Sequence, residues 1–258
     1  MRTKYSHPPI NELVLGVYFN PPLINLRSEH VGLFWRTVRD EFPKLQQQSP
    51  IGDLFIGAPN EHAPMPRYWL VAADDAHLLQ IQRNAFLVNW RKRNDSDYPH
   101  FETVKKVFDQ QYENLVAFLK AEADTGEVTI DVCELTYINL IEAGEYWKEV
   151  GGVSAVVPSF RPLEPKLTEA KLQDVNATSI FRFDERSTLS VNIRTGQNPS
   201  AKAPRLVLEL RASGKPTAGT KSAADAWLAK AHDVIGECFN TITAPDIQQK
   251  YWVPKTEK

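Results

Sequence analysis

Apolar and polar positions near the start of the chain predict a strand, a helix and then a long loop. Residues 13–19 are rich in strand-forming side chains and are followed by a proline pair, which stops a strand. Ser28 is a suitable helix cap, and apolar residues follow it at helical spacing until the next proline. Residues 44–66 contain four prolines and have no sustained period. They are therefore predicted to form a loop, with one short strand around residues 54–56.

Three strand-like runs come next, and a long amphipathic helix follows them. The runs at 68–72, 77–82 and 86–91 are separated by Asp74-Asp75 and Arg83-Asn84, which favour turns. This pattern predicts an antiparallel meander. The helix begins near a proline and places apolar residues on one face at positions 101, 104, 108, 112, 115 and 119. A further strand is predicted shortly after it, at 128–138.

The same order of elements returns in the second half of the chain. Strand-like runs at 179–184, 188–194 and 205–212 precede a helix whose apolar face extends from Ala224 to Phe239. We therefore predict an α+β fold with two lobes of antiparallel sheet, each a three-stranded meander followed by a long amphipathic helix. The predicted domains are an N-terminal lobe at 1–145, a proline-rich and glycine-rich linker at 146–176, and a C-terminal lobe at 177–258.

Composition and charge narrow the class of protein. Apolar residues make up 42% of the 258 residues and charged residues 24%, which is typical of a folded globular chain. A net charge of −2 argues against a basic nucleic-acid-binding domain, so any such role needs a local patch. Cys133 and Cys238 lie in apolar segments and suggest no disulfide framework. The first apolar run is too short for a signal peptide or a membrane span, which predicts a cytoplasmic protein without a membrane partner.

Several segments resemble a sporadically distributed family of uncharacterised bacterial proteins of similar length. They are Pro9-Ile10-Asn11-Glu12, the helix from residue 30 to residue 43, the central block at 79–99 and the strand at 134–139. The resemblance covers the first 140 residues well and the second half loosely. It implies no established activity or cofactor. The family's patchy occurrence is similar to that of genes on mobile or defence-associated islands, which implies a role beside a partner gene product.

Residue types that carry catalysis do not form a recognisable constellation. The six histidines lack the spacing of a zinc site, and Asp74-Asp75 occupies a predicted turn. No nucleophile elbow or phosphate-binding loop is present. Asp131 and Glu134 could join Glu209 and a basic residue such as Arg211 in a divalent-metal nuclease site, although residues three apart in a strand face opposite sides. We therefore predict no catalytic residues, no metal and no cofactor, and favour a protein that is not an enzyme.

One basic cluster and one polar strand supply the candidate binding residues. In the cluster, cationic side chains accompany an amide and an aromatic ring that could contact phosphates and bases. Its members are Arg83, Asn89, Trp90, Arg91, Lys92 and Arg93, with Lys105-Lys106 on the following helix. Tyr137 and Asn139 are further candidates on the strand at 128–138. If exposed, Trp147 and Trp252 would indicate a protein interface.

These observations lead to three hypotheses of different classes. The first is a non-enzymatic binding or regulatory protein that acts through a protein partner in a bacterial defence or toxin-control system. The second is nucleic-acid binding or processing by the basic cluster. The third is a small-ligand site between sheet and helix.

Overall fold

The computed structural model describes residues 3–51, 65–93, 97–123, 125–144, 146–162, 171–198 and 203–255. The strands are β1 (Ile10–Phe19), β2 (Lys44–Gln48), β3 (Arg67–Val71), β4 (His77–Gln82), β5 (Ala85–Arg91), β6 (Ile130–Glu142), β7 (Asn176–Asp184), β8 (Ser187–Gln197) and β9 (Pro204–Gly214). The helices are α1 (Ser28–Val38), α2 (Phe101–Phe118), α3 (Lys221–Ile242) and α4 (Pro245–Ile247). Short π-helical turns follow α2 and α4, and a 3₁₀ turn covers Val150–Ala155.

The nine strands form one antiparallel sheet in the order β2-β3-β4-β5-β1-β6-β9-β8-β7. Together with the helices this sheet confirms the predicted α+β class. Two sets of three consecutive strands are neighbours in the sheet, β3 to β5 and β7 to β9. A long helix follows each set along the chain.

Contacts within the chain divide it into two compact units. The first unit contains Leu13–Leu135 and Gly214–Leu228, and the second contains Met1–Glu12, Thr136–Ser213 and Ala229–Lys258. Residues of both units occur in β1, β6, β9 and α3. The domain bounds at 145 and 177 stay a prediction.

The meander of the first unit has the predicted strands and turns. Tyr68 pairs with Ile81 across β3 and β4, and Ile81 pairs with Phe86 across β4 and β5. In the first turn Asp74 accepts the backbone N–H of Ala76 at 2.9 Å, which is the local hydrogen bond that favours aspartate in turns.

The apolar face of α2 packs on this meander. The ring of Phe86 lies 5.7 Å from the ring of Phe108 and 6.1 Å from that of Tyr112, one turn further along the helix. Aromatic pairs at these distances add specific contacts to the burial of apolar area. The predicted helical face is therefore confirmed.

Strand β2 corrects the prediction of a loop at residues 44–48. Residues Lys44–Gln48 pair with β3, for example Gln46 with Trp69. Four of the five β2 residues are exposed, because the strand lies at one end of the sheet order. Its hydrogen bonds come from the neighbouring backbone, and an exposed strand needs no apolar period. The short strand predicted around residues 54–56 lies outside the described residues.

The second unit holds both tryptophans that the sequence suggested as interface residues. Trp252 packs against Tyr5 and Phe239, with ring centroids at 6.0 and 5.0 Å. Trp147 is buried and its indole N–H donates to the carbonyl of Glu142 at 2.9 Å. Both side chains belong to the core, so they supply no exposed aromatic surface.

Candidate binding surfaces

Strand β7 exposes two large apolar side chains next to each other. Ile180 is 70% exposed and Phe181 is 52% exposed, the highest values among the large apolar residues of the described chain. Successive strand residues point to opposite faces, so Ile180 lies on one side of the sheet and Phe181 on the other. Apolar surface is therefore available on both faces of β7.

Strand β7 is also the last strand in the sheet order. One side pairs with β8, with Thr178 opposite Asn192, Ile180 opposite Ser190 and Arg182 opposite Thr188. On its other side, no strand of the described residues covers the backbone. A row of N–H and C=O groups at such an edge is a template for another extended segment.

Polar groups beside Ile180 are largely paired with one another. The hydroxyl of Thr178 donates to Asn192 at 2.7 Å, and the Asn192 amide donates to Glu209 at 2.9 Å. The other Glu209 oxygen accepts from Arg194 at 3.1 Å. On β7 itself Arg182 is exposed, and it has no carboxylate partner among the described residues. This edge therefore combines apolar surface with one available cation.

A salt bridge holds the end of β7. Lys230 on α3 lies 2.8 Å from Asp184, which also accepts the backbone N–H of Arg186 at 2.9 Å. The hydrogen bond from Lys230 lowers the pKa of Asp184 to about 2. The edge strand is thus fixed where it turns into β8.

The basic cluster predicted from the sequence is divided between two ends of a strand. Arg83 lies in the turn before β5 and Arg91 ends that strand, which spans about 20 Å at roughly 3.3 Å per residue. Arg83 donates to the carbonyl of Leu26 at 3.0 Å, and burial lowers its pKa. Lys92 is exposed and Arg93 is half-buried beside Arg91. The cluster is therefore reduced to residues 91–93.

Other members predicted for phosphate or base contact are engaged inside the fold. Trp90 is 3% exposed and lies 5.4 Å from the ring of Tyr98, so its ring has no open face for a base. Lys105 lies 2.6 Å from both Asp109 and Asp225, which neutralise its charge.

Asn89 belongs to a polar network on the opposite face of the meander from α2. Its side-chain oxygen accepts from the Gln80 amide at 2.6 Å, and both residues are about 95% buried. Gln80 in turn accepts from Arg67 at 2.8 Å and from the Trp69 indole at 3.1 Å. Arg67 and Arg91 both lie over the Trp69 ring, at 5.5 and 5.7 Å. The sequence analysis named Asn89 and Arg91 as candidate binding residues but did not name Arg67, Trp69 or Gln80.

Tyr137 and Asn139 are buried in the second unit. The hydroxyl of Tyr137 lies 2.8 Å from Nδ1 of His232, and the two rings are stacked. Asn139 donates to the carbonyl of Leu208 at 3.0 Å. Both side chains connect elements within the core of the second unit.

Groups that could support catalysis are sparse in the described part of the chain. No set of three histidine, cysteine, aspartate or glutamate side chains there is arranged to hold a metal ion. Burial raises the pKa of the Cys133 thiol to about 12, so it is not a thiolate at neutral pH. Among the described helices, none is long and apolar enough to cross a membrane.

Comparisons with family models, with curated proteins and with solved structures found no match to the chain.

Proposed function

We propose that this chain is a non-enzymatic binding or regulatory protein that receives an extended segment of a protein partner along β7. The observation that carries the proposal is the exposure of Ile180 and Phe181 on an uncovered edge strand. Proteins usually protect such edges with charges, prolines or bulges, because an open edge promotes aggregation. Burying a large apolar side chain contributes about 1.5–3 kcal/mol, so an added strand would gain from both residues.

The two meanders support the same proposal. We retain the prediction that β3–β5 with α2 and β7–β9 with α3 are related lobes, in which case β7 corresponds to β3. In the first meander β2 covers the outer side of β3. Among the described residues, β7 has no equivalent of β2. A segment supplied by a partner would occupy that position by strand addition, in which backbone hydrogen bonds give affinity and side chains give specificity.

The chemistry of β7 specifies the partner segment. The partner residue opposite Ile180 is expected to be apolar. The partner residue opposite Arg182, which lies on the same face two positions along β7, is expected to be acidic. A second copy of this chain fits less well. In a twofold antiparallel pairing, the registers centred on Ile180 or Phe181 place Arg182 opposite Thr178 or Ile180 of the other copy. Neither register supplies an acidic partner, so charge complementarity favours a different protein.

The biological role and cellular location that we propose rest on the sequence. The resemblance to a sporadically distributed bacterial family supports a role in a defence or toxin-control system. The two free cysteines support the predicted cytoplasmic location.

Photo-crosslinking in the native host tests the proposal. A photoreactive residue at position 180 is expected to crosslink one stoichiometric partner, and the crosslinked peptide should contain an apolar-x-acidic pattern. Ile180→Asp with Phe181→Asp should abolish co-purification of that partner. The matched control is Leu33→Asp on α1, since Leu33 is 42% exposed but lies on a helix. Equal recovery with both variants, or a crosslink to a second copy of this chain, would refute the proposal.

Nucleic-acid binding through residues 91–93 is the second candidate, supported by exposed Lys92 beside Arg91 and Arg93. Charge reversal at Arg91 and Arg93 should then abolish a mobility shift of labelled RNA or DNA at low salt. No shift with the unmodified protein would exclude it.

A further inference from the structure

The polar network on the meander contains a cation that has no counter-ion in the described part of the chain. Arg67 is half-buried, and none of the described carboxylates forms an ion pair with it. Its Nε atom is buried and has no hydrogen-bond partner among the described residues. Burial lowers the pKa of Arg67, which reflects the cost of removing water from the guanidinium. Charged groups in such surroundings are normally paired, because an unpaired buried donor is costly.

We propose that Arg67 anchors a small ligand through an oxyanion group, a carboxylate or a phosphate, at a site formed with Trp69 and Gln80. This inference is independent of the β7 interface. Each feature of the site follows from the contacts around the guanidinium.

Gln80, which accepts a hydrogen bond from Arg67, is already engaged by its other neighbours. Oε1 of Gln80 accepts from both Arg67 and Trp69, and Nε2 of Gln80 donates to Asn89. The Gln80 amide therefore has a fixed orientation, with its oxygen toward the two donors. Arginine carries five N–H donors, and the hydrogen bond from Nη1 leaves most of them without an acceptor among the described residues. A ligand that supplies acceptors and negative charge matches this surplus.

The guanidinium is also preorganised. Its central carbon lies over the Trp69 ring, 5.5 Å from the ring centre, and that of Arg91 lies over the same ring at 5.7 Å. This cation–π contact and the hydrogen bond to Gln80 hold the Arg67 guanidinium in place before a ligand binds, and an arginine can offer an oxyanion two parallel N–H donors. Gln80 lies directly opposite Trp69 in the β3–β4 pairing, so rigid strands hold the site. Half-exposure of Arg67 allows the ligand to reach it from solvent.

Thermal unfolding and calorimetry of the full chain test the inference. The probes are sodium phosphate and sodium succinate, each titrated at constant ionic strength with sodium chloride as the balance. At least one should raise the melting temperature and bind with a millimolar or tighter Kd. A response to phosphate alone indicates a phosphorylated ligand, and a response to succinate alone indicates a carboxylate.

Variants at Arg67 show whether the response comes from the proposed site. Arg67→Gln should weaken binding by about tenfold or more, since it removes a charged donor pair. Arg67→Lys keeps the positive charge but lacks the planar guanidinium with its paired N–H donors, and should also weaken binding. Arg186→Gln, in the exposed β7–β8 turn, is the matched control and should leave binding unchanged.

A measurement on the unmodified protein avoids dependence on the folding of a variant. The Arg67 Nε–H signal in a nitrogen-15 spectrum should move on addition of the binding anion. The proposal is wrong if neither anion has an effect at about ten millimolar, roughly ten times the weakest Kd expected here. It is also wrong if Arg67→Gln retains the full response, or if the Arg67 signal stays unmoved.

Discussion

Lys230 on α3 lies 2.8 Å from Asp184 at the end of β7. This salt bridge fixes the edge strand that we propose as the partner-binding surface. Its carboxylate also accepts the backbone N–H of Arg186 in the turn to β8. The stability of the β7–β8 turn therefore depends on whether the carboxyl group of Asp184 is ionised.

Asp184→Asn should lower the melting temperature at neutral pH and have no effect in strong acid. Hydrogen bonding to Lys230 lowers the folded pKa of Asp184 to about 2, below the value of about 3.9 in an unfolded chain. The stabilisation is therefore present above pH 4 and is lost as the pH falls through 2. The loss should stay below about 1 kcal/mol, because the pair is partly exposed. Thermal unfolding of the variant and the parent from pH 7 to pH 2 measures this loss. Glu185→Gln, at an exposed position, is the control.

Hydrophobic periodicity predicted the α+β class and both long helices, because those helices bury a repeating set of side chains. It missed β2, an exposed strand at one end of the sheet order. It also did not identify the β7 edge. The adjacent apolar residues Ile180 and Phe181 were the available signal, because neighbours in a strand cannot both face one core.

The candidate site was only partly predictable for a related reason. The sequence analysis placed Arg83 and Arg91 in one basic cluster because they are close in sequence. They lie at opposite ends of strand β5, which keeps them apart. Arg67 and Gln80 are distant in sequence and become neighbours through strand pairing, which no local pattern encodes. Gln80 does stand between two buried apolar residues of β4, and a polar residue there is a usable signal of a network.

A cluster of two lysines and two aspartates joins α2 to the start of α3 in the first unit. Lys221 contacts Asp109 and lies 2.6 Å from Asp225, and Lys105 contacts the same two carboxylates. All four side chains are at least partly buried. Opposite charges alternate around the cluster, so removing one cation leaves two carboxylates with a single partner.

Lys221→Met should therefore destabilise the protein by about 1–2 kcal/mol at pH 7, less than a fully buried pair would lose. Burial lowers the pKa of Lys221, but hydrogen bonds to Asp109 and Asp225 outweigh it and raise the pKa above the ordinary value of 10.5. The stabilisation is present below that value and is lost as the pH rises through the folded pKa. Denaturant unfolding between pH 7 and pH 12 should show the two proteins converging. Exposed Lys171→Met should have no effect at any pH.

His77 on β4 should make the protein less stable in weak acid. Its Nε2 atom is buried without a hydrogen-bond partner among the described residues, and burial lowers the pKa of His77 although Asp74 and Glu41 act to raise it. Below about pH 6.5 the unfolded chain binds a proton at His77 that the folded protein does not bind. The free energy of unfolding therefore decreases as the pH is lowered. His77→Leu should remove this decline. The test is the difference in unfolding free energy between variant and parent from pH 8 to pH 5, and a constant difference would contradict the expectation. Exposed His7→Gln serves as the control.

Gly219 lies against the start of β6, where its carbonyl accepts the N–H of Ile130 at 3.0 Å. A Cβ at this position would lie 2.5 Å from Cγ2 of Thr129. The backbone of Thr129 is itself held, because its carbonyl accepts the N–H of Asn20 at 3.2 Å. Gly219→Ala should therefore cost about 1–3 kcal/mol, the usual penalty for overpacking.

A second substitution identifies the cause of that cost. Thr129→Ser removes Cγ2, so Gly219→Ala should be much less destabilising in the Thr129→Ser background, as a double-mutant cycle in urea would show. Gly32→Ala on α1 is the opposite control, since a Cβ there meets no atom within 4 Å. It should stabilise the protein by up to about 1 kcal/mol through helix propensity. If Gly219→Ala costs the same with threonine or serine at 129, the steric explanation is wrong and the backbone conformation of the 215–220 segment must carry the effect.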